Sequence, residues 1–242
     1  MMAATVACAR QLFDLTGFYK RVTSRQPRRP ARRRRTAPPE ERREQLIAAT
    51  IRCVANQGLA DTTIATVARE AGLSQGIINL HFQSKDRLLT ETLRYIADEY
   101  RNAVREAVLR SGDEPQAGLT ALVDLDFHRN ICERSKLAVW FAFWGERRFR
   151  PTYRRICAER DRSYDDMVRA LCAALRVQGD YPQVDSDVVA DGLSALTDGL
   201  WLDLLVRPDS MSRGQARRIA MSYLADAFPR HFSRPVPAAR SE

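Results

Sequence analysis

The sequence predicts an all-α protein in two parts. Apolar residues recur at spacings of three and four from Leu46 to Phe228, with no sustained alternation of period two. Breaks rich in glycine and proline fall between these runs. The third observation is the stretch 62–85, TTIATVAREAGLSQGIINLHFQSK, which reads as two short helices around a turn at Gly72 and the start of a third. With 242 residues and 45% apolar content, the chain can bury a substantial core.

Residues 1–39 hold ten basic side chains against one acid, Asp14, and so carry the whole net charge of +9. Their Pro/Arg segment RQPRRPARRRRTAPP argues against packing, and a disordered extension is expected. A basic arm that grips phosphates or enters a minor groove is the sharper alternative. The first helix should run from about Glu40 to Gln57, with acids in its first turn and Gly58 as its stop.

Thr62 or Thr63 then caps the second helix, and Val67, Ala68 and Ala71 form its buried stripe. Gly72 permits a positive φ, Leu73 plugs the core and Ser74 caps the third helix, where Ile78 and Phe82 face inward. Gln75, Gly76, Ile77, Asn79, Leu80 and His81 are left for the outer face. Amides there can read adenine and apolar side chains can meet a thymine methyl, so the pattern points to a DNA-reading helix. Ser84 caps a fourth helix running to about Arg110, and Lys85 beside its free N–H groups suits a phosphate anchor. Residues 40–90 contain six basic and six acidic groups, so recognition cannot rest on a basic patch. A plain bundle of three short helices remains the alternative.

Further helices are expected at 115–130, 133–147, 151–177, 185–206 and 211–228, followed by a disordered tail over 231–242. Leu193, Leu196, Leu200 and Leu204 form a long stripe with Gly192 and Gly199, and Ile219, Tyr223 and Phe228 form another. Either stripe could fill an intramolecular core or a subunit interface. One short reading helix covers too few base pairs, which favours a dimer.

Residues 139–144, VWFAFW, cluster Trp140, Phe141, Phe143 and Trp144 near Tyr153, and DGLW brings Asp198 and Trp201 on a later helix. Rings with a carboxylate suit a quaternary ammonium ligand. An aromatic core between helices is the competing reading.

The segment TTIATVAREAGLSQGIINLHFQSKDRLL resembles the N-terminal domain of the tetracycline-repressor (TetR) family, through His81, Phe82, Ser84, Lys85, Leu88 and Leu89. Asn79 stands where that family usually has tyrosine. Gly76-Ile77-Ile78, WFAFW and DGLW are similar to the choline-responsive BetI-type repressors. The resemblance implies a TetR-like fold. A helix-turn-helix domain at 40–88, with its motif at about 63–82, would precede a ligand-binding and dimerisation domain at 89–230. Thr62, Thr63, Ser74, Gln75, Gly76, Ile77, Asn79, Leu80, His81 and Lys85 would meet DNA, and Trp140, Phe143, Trp144, Tyr153, Asp198 and Trp201 would line the effector pocket. It implies a homodimeric repressor of choline uptake and glycine betaine synthesis genes on a palindromic operator, released by choline or a related quaternary amine. A regulator of an efflux pump or another pathway, with a different ligand, is the alternative.

Other classes find little support. Five cysteines without a C-x-x-C pair read as reduced thiols in a cytoplasmic protein, and three scattered histidines give no metal site. No cofactor motif or nucleophile–base spacing points to an enzyme, and no apolar run is long enough to span a membrane.

Overall fold

The computed structural model describes residues 38–235, and every described element of regular structure is a helix. The Arg/Pro-rich extension falls outside the described residues, except for its last positions.

Helix α1 (Pro39–Asp61) starts on a proline, with Glu40 and Glu41 in its first turn. It breaks at Gly58, where φ is 81°, and one further turn leads to Asp61. Helix α2 (Ile64–Ala71) opens with a reciprocal cap. The Thr63 hydroxyl accepts the Thr66 N–H at 3.1 Å, and the Thr66 hydroxyl accepts the Thr63 N–H at 2.9 Å. Gly72 takes the left-handed conformation at φ 62°, and its N–H returns to the Ala68 and Arg69 carbonyls. Ser74 occupies the N-cap position of α3 (Gln75–Phe82), but its hydroxyl makes no capping bond, contrary to expectation. Ser84 does cap α4 (Lys85–Ser111), accepting from the Arg87 N–H at 3.1 Å.

The remaining helices are α5 (Pro115–Asp126), α6 (Arg134–Glu146), α7 (Pro151–Gln178), α8 (Ser186–Val206) and α9 (Arg213–Ala227). Most ends lie within two residues of those expected. Helix α5 stops four residues short of 130. Phe127 leaves the helical conformation, Phe127 and Cys132 turn into the core, and the Cys132 thiol reaches the Asp126 carbonyl at 2.6 Å. Residues 231 and 232, expected in the disordered tail, pack on the body: Phe232 is buried, and the His231 ring meets the Tyr181 hydroxyl at 2.9 Å. Residues 236–242 of that expected tail lie outside the described residues.

Side chains pack into two cores. The smaller joins Leu46, Ile47, Ala49 and Cys53 of α1 to Val67, Ala68 and Ala71 of α2, Ile78 and Phe82 of α3, and Leu88. The larger runs from Leu93 on α4 through α5–α9 to Phe232, and it also takes in Val54 of α1 and Leu89 of α4. Helix α1 packs more extensively on α6 than on α4. The first helix therefore belongs to both cores.

Among the described residues, no helix is long and apolar enough to cross a membrane.

Candidate functional site

The outer face of α3 carries Gln75, Gly76, Asn79 and Leu80, all exposed, with Leu80 keeping 80% of its surface. Amides and one bare apolar side chain are thus presented together, which is a composition for reading base edges. His81 is half-buried beside Phe82. Ile77 is also partly buried and packs against the smaller core, so it offers less of its side chain than the pattern suggested. Thr62 leaves the surface altogether: it is buried, and its hydroxyl donates to the Gly58 carbonyl at 2.7 Å, bracing the break in α1. Thr63 stays exposed at the start of α2. Lys85 reaches back to the Ala60 carbonyl at 3.2 Å, which holds its ammonium over the α1–α2 corner beside the N-terminus of α4.

The aromatic residues divide between a cavity and the core. Trp140 of α6, Tyr100 of α4 and Trp201 of α8 converge on the Arg160 guanidinium of α7, whose carbon lies 4.2, 4.3 and 5.1 Å from their ring centres. Tyr100 and Trp201 themselves meet edge to face at 5.5 Å. Beside the guanidinium about 40 Å³ stays open, lined also by Ile96, Leu137 and Lys136. Phe143 and Tyr153 are fully buried and packed edge to face on each other at 5.0 Å. They line neither this space nor its neighbour, so as pocket residues they are corrected to core. Trp144 and Asp198 line a second cavity of about 350 Å³ with Asp161, Asp165 and Asp191, and Arg160 borders both spaces. The Trp144 ring is stacked under Arg147 at 4.1 Å.

Asp126 holds the aromatic walls together. Its carboxylate accepts the Tyr100 and Tyr164 hydroxyls at 2.6 Å each, and its carbonyl accepts the Trp201 indole N–H at 2.9 Å. Burial pushes its carboxyl up to about 6, against the two tyrosine bonds and Arg160, which act to lower it. Their own burial, and after it the same carboxylate, drive Tyr100 and Tyr164 far above the ordinary phenol range. Burial also raises Asp198, with Arg160 opposing.

Tyr100, Asp126, Tyr164 and Arg160 are absent from the expected site. Asp126 left a readable trace, a carboxylate on the inward stripe Leu119, Leu122, Val123 and Phe127. Arg160 left none: in ERDRSYDD it looks like a charge on a solvated face.

Known proteins resemble both the N-terminal and the C-terminal part of the chain. Residues 46–92 match the family described as bacterial regulatory proteins, tetR family, and residues 115–229 match the BetI-type transcriptional repressor C-terminal family. The HTH-type transcriptional regulator BetI 1 of Chromohalobacter salexigens is 33% identical over 190 residues, covering 78% of this chain and 91% of that protein. The regulator BetI of Ectopseudomonas mendocina is 38% identical over 183 residues, covering 74% and 90%. A putative transcriptional regulator of Pseudomonas aeruginosa PAO1 superposes with a TM-score of 0.71 at 26% identity, covering 81% of this chain and 96% of that one. A putative transcriptional regulator from Saccharomonospora viridis in complex with choline gives 0.68 at 27% identity, covering 76% and 96%. The chain belongs to the TetR family of DNA-binding transcriptional regulators, with a C-terminal half of the BetI repressor type.

Proposed function

We propose that the protein represses its target genes as a homodimer, with two copies of α3 in successive major grooves of a palindromic operator, about 34–36 Å apart. Choline or a related quaternary amine releases it, and the controlled genes serve choline uptake and glycine betaine synthesis. The observation that carries the ligand class is the convergence of Tyr100, Trp140 and Trp201 around one positive charge in a buried space. Ring faces attract a cation by about 0.5–2 kcal/mol each, and a quaternary ammonium has no N–H that would be left without a partner among them.

The dimer is supported by a stripe on α8 where Val188, Ala195, Gly199, Leu202 and Val206 are all exposed at helical spacing, with Ile219 exposed on neighbouring α9. Effector binding reaches α3 by two routes. Helix α4 carries Tyr100 towards the cavity and Lys85 towards DNA, and α6 carries Trp140 while lying along α1. Release requires that the amine bind the operator-incompetent conformation more tightly; a hundredfold preference corresponds to about 2.7 kcal/mol of coupling.

Choline is titrated into the full chain, following tryptophan fluorescence and retention of an operator duplex. Saturable quenching with loss of the complex is expected. No change in either signal at millimolar choline removes choline as effector and leaves the DNA-binding regulator standing.

A further inference from the structure

The ring-lined space is already occupied by the protein's own cation. The Arg160 side chain is 8% exposed, and its guanidinium sits among three aromatic faces while pairing with Asp161 at 2.8 Å. What remains open beside it is about 40 Å³, room for no more than a few waters at roughly 10–15 Å³ each. A quaternary amine is several times larger than that. It cannot enter unless something leaves, and close-packed rings around a hydrogen-bonded carboxylate are poor candidates to move. Arg160 is the flexible member. It also borders the neighbouring space of about 350 Å³, whose lining holds Asp161, Asp165, Asp191 and Asp198 and, besides Arg160, only Arg147 as positive charge. A guanidinium turned into that space keeps carboxylate partners, so the move strands no buried charge.

We propose that Arg160 is a built-in competitor, a tethered cation that fills the aromatic cage of the effector-free protein and is displaced by the effector's cation into the acidic cavity. The proposal rests on the cage being the effector site and adds what the effector must expel. Exchanging one cation for another leaves the charge beside Asp126 unchanged. The observed affinity is then the intrinsic affinity of the cage reduced by the fraction of molecules whose cage is vacant. Rotation of the guanidinium also transfers a charge contact from the α4–α6 side to α8, giving the two states different internal contacts.

Tetramethylammonium, which has the cationic head alone, and guanidinium chloride at low millimolar concentration are titrated against wild type and Arg160→Ala, following tryptophan fluorescence and Tm. Tetramethylammonium should bind Arg160→Ala about tenfold or more tighter than wild type, since the cage no longer has to be vacated. Guanidinium should bind and stabilise only the variant. Asp165→Asn, which disturbs the destination and not the cage, should weaken tetramethylammonium in wild type and leave Arg160→Ala unaffected. If Arg160→Ala does not fold, Arg160→Met keeps the apolar stem and carries the same expectations. Unchanged or weaker tetramethylammonium affinity in a folded variant, or no saturable guanidinium response, overturns the proposal. If the variant takes both small cations while choline neither binds wild type nor frees DNA, the tethered cation stands and the choline reading falls. If choline binds wild type and variant with equal affinity and frees DNA from both, the choline reading stands and the tethered cation falls.

Discussion

Asp126 ties the aromatic cluster together, because its carboxylate and its carbonyl reach Tyr100, Tyr164 and Trp201. Its buried carboxyl titrates near 6, while an unfolded aspartate titrates near 4. The native state therefore holds an extra proton between those values, and its contribution to stability grows as pH falls through 6 and is complete below about 4. The groups facing it are Tyr100, Tyr164, Cys132, Arg160 and Asp198; of these only Asp198 is another carboxylate, itself raised by burial. Relative to Asp126→Asn, wild type should gain about 2 kcal/mol between pH 7.5 and 4.5, measured by urea denaturation at each pH. A flat difference would mean that the carboxyl titrates normally.

On the reading face, Asn79→Ala should lose discrimination between operator and scrambled duplex by about 1–3 kcal/mol. Lys85→Ala should weaken both alike and lower the salt slope by about one. Equilibrium binding over a range of salt separates the two; the reverse pattern would dock α3 differently.

At the scale of elements, two glycines of α8 have opposite surroundings. A Cβ on Gly192 would meet the Tyr223 hydroxyl, which donates to the Val189 carbonyl at 3.1 Å, whereas a Cβ on Gly199 would meet nothing within 4 Å. Gly192 lets α9 approach α8 within one subunit, and Gly199 lies open on the exposed stripe. Gly192→Leu should cost about 1–3 kcal/mol of stability through overpacking. Gly199→Arg should keep the monomer's fold and shift sedimentation from dimer to monomer, since a charge would face the partner's apolar stripe. A dimer that survives Gly199→Arg unchanged places the interface elsewhere.

The helices themselves were legible because caps, prolines and apolar periodicity are local: Thr63, Ser84, Pro115 and Pro151 open helices where the sequence puts them. The α3 face was legible for the same reason. The cavity was not, because WFAFW reads as one aromatic patch while the fold sends Trp140 to Arg160 and Phe143 to Tyr153. Local pattern cannot say which side of a helix a distant neighbour covers, nor that a charged side chain such as Arg160 turns inward.

For the whole molecule, the N-terminal and C-terminal parts are joined by the packing of α1 on α6 and by an ion pair. Arg150, just before α7, pairs with Asp86 at the start of α4 at 2.6 Å. The Arg150–Asp86 pair is largely exposed, so Arg150→Ala should change overall stability by less than ~1 kcal/mol. If choline frees the operator as proposed, it should still alter the choline concentration needed for release, because Asp86 neighbours Lys85, the phosphate anchor of the proposed DNA contact. Titrating release from a fixed operator duplex, beside a thermal melt, reads both quantities.

The shared helix α1 has a consequence for modularity. Its Val54 belongs to the core of the C-terminal half, and Ile51, Ala55 and Leu59 pack against that same core. A reader cut away at the start of α5 would carry this apolar strip uncovered, and a reader grafted onto a foreign effector half would meet a surface that does not fit it. In chimeras, the unit to transplant is therefore the reader together with α6.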